Sequence, residues 1–100
     1  MKTEDYRPLI PIGAENAATY MELSLWWGVS QRTVRKILHE LSSVKPPDGY
    51  VIIRSSRGRG FYRTKDFPQI KRYQREIVNR AHNTLVPAYV IDQYLKDMNH

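Results

Sequence analysis

Apolar residues between positions 19 and 41 are spaced as in two short helices that are joined by a tight turn. Thr19 can cap the first helix, because Glu22 follows three residues later as in a capping box, and Gly28 ends it. Ser30 can cap the second helix, over residues 31–43, in which helical spacing relates Val34, Ile37, Leu38 and Leu41. The pattern therefore predicts a helix, a turn and a second helix.

The apolar positions of the two helices also determine which face of the second helix points outward. Gly28 supplies the backbone freedom that a steep crossing of the helices requires. The residues whose spacing lets them converge between the helices are Leu23, Trp27, Val29, Val34 and Ile37. The polar face of the second helix is then expected to lie outside, and it carries Gln31, Arg32, Arg35, Lys36 and His39.

A break and two strand-like segments follow the second helix. Residues 45–49, KPPDG, cannot continue it, because proline lacks an amide hydrogen and Asp-Gly favours a turn. β-Branched and aromatic residues then predominate at positions 50–53 and 61–64, and RSSRGRG separates these two segments. We expect a two-stranded hairpin with a basic, glycine-containing tip.

The two ends of the chain differ in pattern. Residues 1–18 contain prolines and a glycine without a sustained period, so an extended arm or loop is expected there. Asp66 can cap a third helix over residues 67–83, and Pro87 can begin a last helical stretch. The predicted organisation is an arm (1–18), a domain that includes the third helix (19–83) and a C-terminal helix (84–100).

Composition is consistent with one folded domain. The chain has 100 residues, 41% of them hydrophobic, which is enough for a single core. No cysteine is present, so disulfides and thiolate sites are excluded. The apolar runs are too short to cross a bilayer and the opening segment is too polar for a signal peptide, so we expect a cytoplasmic location.

The positive charge is concentrated in the middle of the chain. Net charge is +6, and residues 30–80 hold thirteen basic and four acidic residues, a local balance of +9. Such a segment favours a polyanionic partner, and an ordinary solvated basic surface is the alternative. Charge alone does not decide between them.

The segment GVSQRTVRKILHEL (28–41) resembles the helix-turn-helix family, and YVIIRSSRGRGFYRT (50–64) resembles the wing of its winged-helix branch. Together with the basic helix after GRGFY, the arrangement is similar to small DNA-binding proteins of phages and prophages of Gram-positive bacteria. The resemblance covers roughly residues 19–64. It implies an α+β winged helix-turn-helix with a two-stranded wing hairpin and additional C-terminal helices. That fold usually has a helix before the motif, and we expect the helix after the wing to fill its place in the core.

The resemblance implies sequence-specific binding of double-stranded DNA. The start of the recognition helix would then consist of Ser30, Gln31, Arg32 and Thr33. Gln31 and Arg32 are the candidates for base contacts, since glutamine can bind adenine and arginine guanine in a bidentate manner. Further along the same face follow Arg35, Lys36 and His39, of which Arg35 and Lys36 are expected to contact phosphate. An ordinary solvated helix face is the alternative interpretation.

The wing supplies a second group of candidate residues. Glycines separate Arg57 and Arg59 at the hairpin tip, which would let the backbone approach DNA while guanidinium groups enter the minor groove. Arg54 and Arg63 would lie lower on the strands and contact phosphate. A hairpin tip that charge merely keeps soluble is the alternative.

Adjacent Trp26 and Trp27 cannot both face the core. The spacing assigns Trp27 to the core, and we expect the N-terminal arm to cover Trp26, with an exposed site for a partner as the alternative.

The remaining sequence favours a binding protein over an enzyme. The three histidines lack the spacing of a metal site, and there is no phosphate loop or nucleophile motif, so neither a cofactor nor catalysis is expected. The protein would act as a regulator of transcription or an accessory factor in replication or recombination, and as a homodimer through residues 84–100. The alternatives are a winged-helix module that binds another protein through its C-terminal helix, and an RNA-binding protein.

Overall fold

The computed structural model describes residues 2–55 and 60–98 of the chain, apart from the side chain of Thr84. Two 3-10 helices, Thr3–Leu9 and Ala14–Asn16, come first. They are followed by α1 (Tyr20–Trp27), α2 (Gln31–Ser42), strands β1 (Val51–Arg54) and β2 (Phe61–Thr64), and α3 (Phe67–Met98). The fold is therefore α+β with an antiparallel hairpin, and it is compatible with a winged helix. The chain divides into two compact units, Met1–Ile70 and Lys71–His100.

The predicted capping residues begin and end α1 and α2. The Thr19 hydroxyl accepts from the amide of Glu22, and the Glu22 carboxylate accepts from the amide of Thr19, both at 3.1 Å. Gly28 ends α1 in the left-handed region, with φ +67°. The Ser30 hydroxyl accepts from the amide of Thr33 at 3.2 Å and so caps α2. The predicted helix boundaries are confirmed because they depend on local hydrogen bonds.

The predicted convergence of α1 and α2 is also confirmed. Leu23 and the apolar face of α2 are buried in one cluster, with Trp27 and Val29 packed against it. The N-terminal segment contributes Tyr6 and Ile10 to the same cluster. The expectation that the helix after the wing fills this part of the core is therefore wrong, since the N-terminal segment occupies it.

The N-terminal arm is a folded part of the first unit rather than an extended arm or loop. Its first 3-10 helix is fixed by Arg7, which donates hydrogen bonds to the Glu4 carboxylate and, at 3.1 Å, to the backbone carbonyl of Leu41 at the end of α2. The hydrogen bond from Arg7 lowers the pKa of Glu4. The sequence did not reveal this element because a short 3-10 helix containing Pro8 has no amphipathic period.

Strand β2 is buried, and backbone segments line both of its edges. β1 pairs with it along one edge in antiparallel register, with Arg54 opposite Phe61. On the other edge Ala18 and Phe61 exchange backbone hydrogen bonds of 2.8 and 2.9 Å, and Ile12 forms a parallel bridge with Arg63. Gly60 is required beside this pairing, since a Cβ there would lie 2.6 Å from the backbone of Ala18.

Arg63, expected to contact phosphate, instead holds the N-terminal segment against β2. Its guanidinium donates to the carbonyls of Ile10 at 2.9 Å and Pro8 at 3.2 Å, and to the Asp48 carboxylate at 3.2 Å. Only 6% of the residue is exposed. The expectation is wrong because burial and these bonds withhold the side chain from a surface ligand. A hydrogen bond from the Tyr50 amide and the charge of Arg63 lower the pKa of Asp48.

Residues 67–98 form one helix, although two helical stretches were predicted. Asp66 caps it as expected, with its carboxylate accepting from the amide of Gln69 at 3.2 Å. Pro87 lies inside α3 rather than at the start of a new helix. Proline removes one backbone donor, and the helix continues past it. Within the described part of the chain, no helix combines the length and the hydropathy that crossing a membrane requires.

The contacts of Arg63 lead to a prediction about stability. Arg63→Met keeps the aliphatic bulk but leaves the carbonyls of Pro8 and Ile10 without their donor, which should lower the free energy of unfolding by about 2–4 kcal/mol. Arg54→Met is the matched control, because it removes the same charge from the exposed end of the paired strand. It should change stability by less than about 0.5 kcal/mol.

Urea denaturation of the full chain measures both values. Equal effects of the two substitutions would contradict the structural role of Arg63.

Candidate nucleic-acid interface

The outer face of α2 is polar and exposed along its length. Its opposite face is buried in the core of the first unit. The exposed side chains are those expected from the sequence, namely Gln31, Arg32, Arg35, Lys36 and His39. The prediction of which face points outward is therefore confirmed, and the face carries three full positive charges.

The start of α2 separates residues that shape the helix from residues that are free to contact a ligand. The hydroxyls of Ser30 and Thr33 are hydrogen-bonded to each other at 3.0 Å, and Ser30 also caps the helix. Across residues 2–55 and 60–98, Gln31 and Arg32 have no side-chain hydrogen bond or ion pair. Gln31 and Arg32 therefore offer all of their donors and acceptors to a partner.

A row of two aromatic rings connects α2 with the hairpin. The Arg35 guanidinium lies 4.8 Å from the ring centroid of Tyr20, and the ring centroids of Tyr20 and Phe61 are 4.9 Å apart. The guanidinium of Arg54 lies 5.9 Å from the ring centroid of Phe61. We call the row Arg35, Tyr20, Phe61 and Arg54 the aromatic bridge. It places a cation of α2 and a cation of β1 at the two ends of one continuous set of contacts.

Sequence reasoning missed Tyr20 and Phe61 as parts of this surface. Each occupies an ordinary position, the first residue of α1 and the first residue of β2. Forty-one positions separate them in the chain. Only the pairing of Ala18 with Phe61 brings the two rings together, and that backbone contact has no local signature.

The hairpin contributes fewer described cations than expected. Arg54 is exposed at the end of β1, and the amide of Ser55 donates to the carbonyl of Gly60 at 2.9 Å at the base of the tip. Arg57 and Arg59 lie outside the described residues. Lys65, directly after β2, is exposed and its ammonium lies 4.6 Å from the ring centroid of Tyr50.

The N-terminal segment covers a different tryptophan of α1 from the one expected. Tyr6 of the N-terminal segment packs on Trp27, with ring centroids 4.9 Å apart. Trp26 remains 58% exposed, so the expectation that the arm covers it is wrong. Exposed Met21 and Leu25 lie on the same helix. The arm contacts Trp27 because its aromatic side chain, Tyr6, is directed into the core.

Among the described residues, no three or more His, Asp or Glu side chains form a group that could hold a metal ion. Comparison of the chain with known protein families, with curated protein sequences and with solved structures finds no match.

Proposed function

We propose that this protein binds double-stranded DNA in a sequence-specific manner as a winged helix-turn-helix, with α2 as the recognition helix and the β1–β2 hairpin as the wing. The observation that carries the proposal is the aromatic bridge. It connects the exposed cationic face of α2 to Arg54 of the hairpin, so that the two elements present one surface of positive charge. A duplex carries phosphates on both sides of each groove, which such a surface matches.

The start of α2 has the chemistry that reading of bases requires. The B-DNA major groove is about 12 Å wide and admits a helix about 10–12 Å in diameter. Gln31 and Arg32 are exposed and unbonded in the first turn, where the side chains of a recognition helix reach base edges. Arg35, Lys36 and His39 continue along the face toward phosphate. The hydrogen bond between the hydroxyls of Ser30 and Thr33 uses only one of their two hydroxyl hydrogens, so the other can be donated to a nearby phosphate.

The hairpin would act mainly through charge. Arg54 is exposed at its end, and we propose that Arg57 and Arg59 extend the cationic surface into the minor groove. Arg63 is left out of the proposed interface because it is buried. Contacts of this kind raise affinity for any duplex, whereas those of Gln31 and Arg32 distinguish sequences.

The proposed biological role is a phage or prophage regulator of transcription, or an accessory factor in replication or recombination. We also propose that the protein acts as a homodimer through its C-terminal segment. Exposed apolar residues in α3 support this, including Ile77, Leu85 and Ile91.

Duplex binding should weaken steeply with salt. If the surface neutralises about five phosphates, the slope of log K against log salt should be roughly −4 to −5. Fluorescence anisotropy of a labelled random duplex, titrated at several salt concentrations, measures the slope. A slope near zero would contradict DNA binding, whereas RNA that displaces the duplex at equal nucleotide concentration would favour the RNA-binding alternative.

Arg32→Ala should reduce sequence discrimination. On a site selected from a random duplex library it should cost roughly 1–3 kcal/mol of binding free energy, with a smaller loss on random DNA. Arg75→Ala is the matched control, since it removes the same charge from an exposed position of α3. Its effect should be small and equal on both duplexes.

Competition between the selected and the random duplex measures the ratio of the two affinities for each variant. If the two substitutions reduce discrimination equally, α2 is not the recognition helix.

A further inference from the structure

We infer that the part of α3 in the second unit pairs with the same segment of a second copy of the chain, and that the two helices run antiparallel. This inference rests on the proposed homodimer and gives it a geometry. It is independent of the contacts that α2 makes with DNA. The observation behind it is a self-complementary stripe of residues along the helix.

The second unit consists of one helix and cannot bury its own apolar stripe. Apolar side chains recur in α3 at alternating steps of four and three residues, at Ile77, Ala81, Ala88, Ile91, Leu95 and Met98. Thr84 occupies the intervening position in the sequence. This spacing is typical of a coiled-coil seam, and with Gln74 it extends over more than three heptads. Ile77 and Ile91 are 44% and 58% exposed in the single chain.

The order of large and small residues along the seam favours an antiparallel pair. With the centre of the pair between positions 82 and 83, residues 71–94 of the two copies overlap, and Leu95 and Met98 lie beyond the overlap. Ile77 of each copy then faces Ala88 of the other, and Ile91 faces Gln74. Each of these layers then combines a larger with a smaller residue, or an apolar with a long polar one. A parallel pair in register would stack Ile77 on Ile77 and Ala88 on Ala88. Its layers would alternate between wide and narrow, which a constant distance between helices does not fill.

Charged residues beside the seam also favour the antiparallel orientation. In the antiparallel pair Lys71 of one helix lies beside Asp92 of the other, and the symmetry produces this contact twice. In the parallel pair the flanking positions would bring Arg80 beside Leu85 and Pro87 beside Asp92, without opposite charges. Lys71 and Asp92 both also interact within their own chain, Asp92 with Lys96 at 3.2 Å. An exposed carboxylate can serve both cations, and such pairs act mainly by selecting orientation.

The absence of cysteine allows a direct test of orientation. Ile77→Cys and Ala88→Cys are made separately in the full chain. In the antiparallel pair, residue 77 of one chain lies opposite residue 88 of the other. The two copies of residue 77 are about 16 Å apart along the axis, at 1.5 Å per residue, and so are the two copies of residue 88. A disulfide forms only when the Cα atoms approach within about 7 Å.

On oxidation, neither variant alone should form a covalent dimer, whereas an equimolar mixture should form a heterodimer of the two variants, measured on a non-reducing gel and by mass spectrometry. Covalent dimers of either variant alone would overturn the antiparallel arrangement. A mixture that forms none would also overturn it.

A pair of substitutions tests the seam itself. Ile91→Glu places a carboxylate in the seam and should raise the dissociation constant of the dimer by roughly a hundredfold. Val86→Glu introduces the same charge on the opposite side of the helix and should leave it almost unchanged. Sedimentation of the full-length variants measures both, and circular dichroism verifies that each is folded.

Equal effects of the two substitutions, or a wild-type chain that is monomeric at tens of micromolar, would overturn the inference. Duplex binding is measured separately by gel shift. A monomer that still binds duplex would contradict the pairing and the proposed homodimer but not DNA binding, whereas a dimer that binds no duplex would contradict only the proposed DNA binding.

Discussion

The buried guanidinium of Arg63 is the interaction on which the first unit depends. It holds two carbonyls of the N-terminal segment and the carboxylate of Asp48 while its own backbone lies in β2. A buried arginine is tolerated only when its donors are satisfied, and here three acceptors from distant parts of the chain meet that condition. The segment that Arg63 fixes carries Tyr6 and Ile10 into the core beneath α1 and α2.

The exposed surface follows from this arrangement. Because β2 is bordered by the segment that ends at Ala18, the ring of Phe61 meets the ring of Tyr20 in the next element along the chain. The guanidinium groups of Arg35 and Arg54 then lie over the rings of Tyr20 and Phe61. The connection between a cation of α2 and a cation of the hairpin is thus a consequence of how one strand is packed. The same residues that stabilise the unit determine where its charges lie.

The sequence predicted the features that depend on neighbouring residues. The caps at Thr19 and Ser30, the positive φ of Gly28 and the outward face of α2 are decided within four residues, and each is confirmed. The role of Arg63 could not be predicted, since its partner Ile10 is 53 positions away and an arginine in a basic hairpin is expected to be exposed. The N-terminal 3-10 helix likewise depends on the contact of Arg7 with Leu41. Pro87 suggested a helix start because a proline within a helix is uncommon.

The proposed binding of duplex DNA by the α2 face together with the hairpin can be tested residue by residue in a titration followed by heteronuclear NMR. When a short duplex is added to the full chain, the largest changes in backbone amide shifts should fall on residues 30–39 and on Arg54. Amides of the first 3-10 helix, Thr3–Leu9, should change little, because that segment packs against the other side of α2. Changes concentrated in α3 or in the N-terminal segment, with residues 30–39 unaffected, would contradict the proposed interface.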